Sequence, residues 1–67
     1  MFSIHWLRER SLVEQQTSEL PLLADVIAAA RGSLRELGAR HPGNMPESFK
    51  VFDERGREVG HFTLLSS

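Results

Sequence analysis

The sequence predicts an α+β fold of two layers: a four-stranded, mainly antiparallel sheet with one helix on one face. Three observations carry this prediction: a period-two alternation near both ends of the chain, a helical apolar period in the middle, and an Asp-to-Gly turn between the last two strands. The order is β-β-α-β-β, in one domain spanning residues 1–67.

Phe2 to Leu7 alternates, with Phe2, Ile4 and Trp6 on one side and Ser3, His5 and Leu7 on the other. Aromatic and β-branched residues at period two predict a strand with one face in a core. Leu12-Val13-Glu14-Gln15-Gln16-Thr17 is a more polar strand, suited to a sheet edge. The break between them, Arg8-Glu9-Arg10-Ser11, holds no Gly, Asn or Asp. It therefore predicts a longer, looser connection rather than a two-residue hairpin turn.

From Leu23 the apolar positions run Leu23, Val26, Ile27, Ala30, Leu34 and Leu37, the spacing of a single helix over roughly Leu22 to Leu37, extending at most to Arg40. Pro21 stands just ahead of it, Asp25 lies near its positive end, and Arg31, Arg35 and Arg40 lie towards its negative end. Gly32 falls mid-helix, where it is tolerated at about 1 kcal/mol relative to Ala. Gly38 suits the position after the helix end, and His41-Pro42-Gly43 stops any continuation.

After a loop over His41 to Glu47, two strands follow. Ser48 to Phe52 sets Phe49 and Val51 against Lys50 and Phe52. Arg57 to Leu65 sets Val59, His61, Thr63 and Leu65 against Gly60, Phe62 and Leu64. Asp53-Glu54-Arg55-Gly56 between them predicts a type I turn closed by a left-handed Gly. Strand directions favour the order 2-1-3-4, in which every neighbour is antiparallel. The alternative, 2-1-4-3, sets the first strand parallel to the fourth.

Composition narrows the function. Eight Lys+Arg against nine Asp+Glu give a net charge of −1, which argues against a general polyanion binder. With no Cys there are no disulfides or thiolate metal sites. No apolar run approaches the ~18 residues of a membrane span, and the opening Met1 to Trp6 does not read as a signal peptide. A cytoplasmic location is the expectation.

No residue set predicts catalysis, a cofactor or a metal. His5 and His61 lie in different strands, and in the order 2-1-3-4 they stand roughly 9–10 Å apart across the intervening strand. His41 reads as a surface residue near a helix end. A domain this small leaves little room for a pocket of about 300 Å³. Arg31, Arg35 and Arg40 are candidates for a basic patch in a weak nucleic-acid-binding or regulatory module. Against that patch stand the interspersed Glu9, Glu36, Glu54 and Glu58. Apolar residues on both strand parities exceed what one helix covers, which points to a non-catalytic interaction module. Such a module would self-associate as a homodimer, or bind another protein, through the open sheet face or a strand edge. The candidate partner residues are Trp6, Phe52, Phe62 and Leu64, and one of Trp6 and Phe52 belongs to the core instead.

The opening Phe2-Ser3-Ile4-His5-Trp6, the Glu19-Leu20-Pro21 leading into an Ala-rich helix, and the run Phe49 to Val59 resemble a family of short bacterial domains of unknown function. The likeness spans nearly the whole chain and implies the same β-β-α-β-β layout. It departs at Arg8-Glu9-Arg10, where the family pattern has Asp or Gly in the first hairpin loop.

Overall fold

The computed structural model describes residues 1–64, and Leu65 of the expected last strand lies outside them. The elements are β1 (Phe2–Arg8), β2 (Ser11–Ser18), α1 (Leu23–Gly32), α2 (Leu34–Arg40), β3 (Ser48–Phe52) and β4 (Glu58–Thr63). The four strands form one sheet in the order β2-β1-β3-β4, antiparallel at every ladder. This is the order 2-1-3-4, and it puts the most apolar alternating strand, β1, beside β3 at the centre and the polar β2 at an edge.

Two local expectations are overturned. The first concerns the β1–β2 connection, which is not loose. Arg8 pairs with Ser11, so only Glu9 and Arg10 turn the chain, with φ of 49° and 69°. Two successive left-handed residues are what a tight hairpin needs to match strand twist, and here non-glycine residues supply them. The ladder from Phe2–Ser18 to Arg8–Ser11 imposes that geometry over local preference. A register shift between Trp6 and Leu7 adds one residue to β2, with Leu7 facing Leu12 and Trp6 facing Glu14.

The second concerns the helix, which is two helices instead of one. Ser33 ends α1 and starts α2 with φ −90° and ψ 0°. Its N–H is shared between the carbonyls of Ala29 (3.1 Å) and Ala30 (3.2 Å), and its hydroxyl donates to the Ala30 carbonyl at 2.9 Å. Gly32 is a poor helix former, and the adjacent Ser33 offers the backbone a competing bond, so the helix divides at this pair. Gly38, expected beyond the helix end, sits inside α2, where a Cβ would rest 3.5 Å from the Met45 side chain. The cap is instead His41, followed by Pro42.

The second hairpin turns as expected. Gly56 has φ 80° and donates to the Asp53 carbonyl at 3.0 Å. Asp53 Oδ1 accepts the N–H groups of Arg55 and Arg57, each at 2.9 Å. These bonds, Arg57 first, hold the Asp53 carboxyl below the usual carboxylate range.

Ile4, Trp6, Phe49 and Val51 from the sheet and Val26, Ala30 and Leu37 from the helices make one buried cluster. The Trp6 and Phe49 rings lie 4.9 Å apart, and Phe62 stacks on Phe49 at 5.1 Å. Dividing the helix lets Leu37 of α2 reach the same core as Val26 and Ala30 of α1.

Candidate functional site

Alternation gives the sheet two chemically different sides. Phe2, Ile4, Trp6, Phe49, Val51, Gly60 and Phe62 share the side of the buried cluster. The other side shows three cross-strand rows: Leu12, Leu7, Ser48 and Thr63; then Gln15, His5, Lys50 and His61; then Thr17, Ser3, Phe52 and Glu58. None of these residues is buried. Of the apolar ones, Leu7 and Leu12 adjoin across the β1–β2 ladder, while Phe52 stands apart from them in another row, with the polar row of His5 and Lys50 between.

The four candidate partner residues divide accordingly. Trp6 is 0% exposed, and its indole N–H donates to Gln16 Oε1 at 3.1 Å, so it belongs to the core and offers no surface. The reason is parity: Trp6 shares its face with Ile4, under the helices. Phe52 stands on the opposite side, half-buried, with its ring 4.5 Å from that of His5. Phe62 and Leu64 pack against the margin of the core and stay half-buried. The Phe62 ring lies across Gly60, where an added Cβ would meet Cε2 at 2.5 Å.

The edges of the sheet differ. Along the helix side β2 presents Glu14, Gln16 and Ser18, the partners of Trp6, Ile4 and Phe2. β4 presents Phe62, with Leu64 just beyond it. Leu64 donates its N–H to the Glu47 carbonyl at 2.8 Å. The alternation of an antiparallel ladder therefore turns the N–H and C=O groups of Thr63 and His61 outward, away from β3. Both residues are exposed, and β4 carries no Pro or Lys to blunt the edge.

The arginine patch does not assemble as a free cationic surface. Arg40 Nη2 and Nε reach the two oxygens of Glu14 at 2.7 and 3.3 Å. His41 Nε2 lies 2.8 Å from Glu14 Oε1, and Gln16 Nε2 donates to Oε2 at 2.6 Å. These contacts, Arg40 foremost and then His41, pull the Glu14 carboxyl down to about 2. Through Gln16 and the Trp6 indole, this network fastens the end of α2 to β2 and to the core. Arg31 lies 5.9 Å from the Phe62 ring centroid, and Arg35 is exposed. His41, read from sequence as a surface residue, is half-buried and bonded. The sequence holds no local signal for this cluster, because Glu14 lies 26 and 27 positions from its α2 partners.

His5 and His61 occupy one row with Lys50 between them, so the nearest neighbour they share is itself a cation. Among the described residues no three His, Asp or Glu side chains gather as a metal site. Two surface grooves, of about 350 and 490 Å³, exceed the room expected of so small a domain. They are open depressions at the ends of the sheet, formed where hairpin turns rise beside strands. The first is lined by Glu9, Arg10, Glu47, Ser48, Lys50 and His61 together with Leu7. Among the described residues no helix is long and apolar enough to cross a membrane. No family model, curated protein or solved structure matches the chain.

Proposed function

We propose that this chain is a cytoplasmic, non-catalytic interaction module that self-associates by pairing the edge of β4 with β4 of a second copy, forming a homodimer. The observation that carries the reading is the pairing of two features on one edge. The outward N–H and C=O groups of His61 and Thr63 can be satisfied by another strand, and the half-buried Phe62 and Leu64 flank them. β2 is the weaker edge, since its helix-side residues are the charged Glu14, engaged by Arg40 of α2, and the polar Gln16, engaged by Glu14 and the Trp6 indole. The scattered apolars of the open face favour the edge over the face.

Sedimentation velocity at low and high micromolar concentration tests the proposal. The expected result is a concentration-dependent dimer, of the weak class that small interfaces give. Thr63→Lys should abolish it. Thr63→Pro should do the same while sparing the internal ladder, because the N–H it removes points out of the sheet. Thr17→Lys on the β2 edge should leave the dimer intact. A clean monomer for the wild type at high micromolar concentration overturns the reading, as does a Thr63→Lys variant that is folded by circular dichroism and still dimeric.

A further inference from the structure

We infer that this chain exchanges β1 with a second copy by opening the Glu9–Arg10 turn, a route to a dimer that does not use the β4 edge. Glu9 and Arg10 both hold left-handed φ values, 49° and 69°, without being glycine. That conformation crowds a side chain against the backbone, and the strain is relieved when the two residues extend. A short connection under strain is a ready hinge for the exchange of an element between copies. β1 suits the exchange, because the turn is its sole covalent tie to the elements that follow. Its ladders to β2 and β3, and the places of Ile4 and Trp6 in the core, are all rebuilt in the same register when the second copy supplies the strand.

The ladder register also fixes what the opened hinge meets. Leu7 faces Leu12 and Arg8 faces Ser11, so the next step of the same ladder sets Glu9 against Arg10. Within one chain these two are sequence neighbours and must turn. Between two extended copies, Glu9 of each faces Arg10 of the other, once on either side of a two-fold axis. Direct cross-strand partners share a face, here that of Leu7 and Leu12, and opposite charges so placed stabilise the pair. In the single chain both side chains are exposed, and among the described residues neither joins an ion pair. Opening the turn thus replaces two strained residues in each copy with two ion pairs at the junction, within one unbroken ribbon from Phe2 to Ser18 of each chain. Against this stands the entropy lost when two chains associate, so concentration during folding decides how much dimer forms.

The test is refolding from denaturant at about 10 μM and about 1 mM, then dilution and size-exclusion chromatography with light scattering. It is run on Thr63→Lys, which removes the β4 pairing, with and without Ser3→Cys and Thr17→Cys at facing positions of β1 and β2. The expected result is a dimer after refolding at the higher concentration that persists on dilution, because reversal requires β1 to leave the core. Once oxidised, this dimer should run as a covalent dimer on a denaturing gel, whereas the monomer closes its disulfide within one chain. Adding Glu9→Asn with Arg10→Gly, which a two-residue turn accepts without strain, should lower the dimer fraction about tenfold. Glu9→Arg should lower it by opposing like charges, and Glu9→Arg with Arg10→Glu should restore it, each variant being folded by circular dichroism. A chain monomeric after both refoldings overturns the inference and leaves the β4 pairing standing. A dimer undiminished by Glu9→Asn with Arg10→Gly overturns the inference, and one whose disulfides lie within single chains overturns both.

Discussion

Glu14 shows how much one side chain can organise in a domain of this size. It lies in a polar edge strand and gathers Arg40, His41 and Gln16 around one carboxylate. About a fifth of the side chain stays exposed, so solvent screens part of the attraction. Replacing it with Gln removes the charge and leaves one amide oxygen for contacts that three side chains now make with two carboxylate oxygens. The expected loss is about 1–3 kcal/mol, read from urea denaturation at neutral pH. Because the fold favours the ionised form, its contribution is complete above the ordinary 4.5 and fades as pH falls toward about 2. The gap between wild type and Glu14→Gln should therefore close in acid, and a gap of equal size at neutral and strongly acid pH would show that the charge is not what matters. None of this was legible in the sequence. Arg40 reads as exposed because its helical position is all that local spacing reveals, and its partner comes from the far side of a connection of more than twenty residues.

At the scale of elements, periodicity did most of its work correctly. The alternation of Phe2 to Leu7 and of Ser48 to Phe52 grouped the core residues of β1 and of β3 on one side of each strand, because burial on one side leaves period two as its trace, but it left open which side is the core. Asp53 and Gly56 gave the second turn, since both act through local bonds. The first turn and the helix break were misread for opposite reasons. At Glu9 and Arg10 the ladder overrides residue preference and holds two non-glycine residues at positive φ, at about 1–2 kcal/mol each. At Gly32 and Ser33 a local preference prevails over the apolar period, which continues unbroken through the division. Substituting Glu9→Asn together with Arg10→Gly is expected to raise stability by about 1–2 kcal/mol with the fold unchanged. A melting temperature that stays level or falls would show that the left-handed pair is not under strain.

For the molecule as a whole, the excess of apolar residues over what one helix can cover resolves in three ways. Trp6 goes to the core, Phe52 is sheltered against His5, and Phe62 and Leu64 are left half-covered at the margin beside β4. The sequence carried the excess but not its distribution, because strand order decides which apolar residues fall beyond the reach of the helices. Order 2-1-3-4 followed from strand directions, whereas the exposure of one edge rather than the other depends on where α2 is fastened.

The seam between β1 and β3 also has a temporal meaning. Each hairpin joins near neighbours in the chain, but the pairs Leu7–Ser48 and Ser3–Phe52 close 41 and 49 positions respectively. Loop closure of that length is the principal entropic hurdle between two preformed hairpins and a sheet, so the seam sets the pace of folding. Trp6 sits on it opposite Phe49, which makes its emission a direct clock for closure. In stopped-flow refolding, Ile4→Val, facing Val51 in the same seam, is expected to slow the folding limb and leave unfolding nearly unchanged. An effect confined to unfolding would place the union of the two hairpins after the barrier instead of upon it.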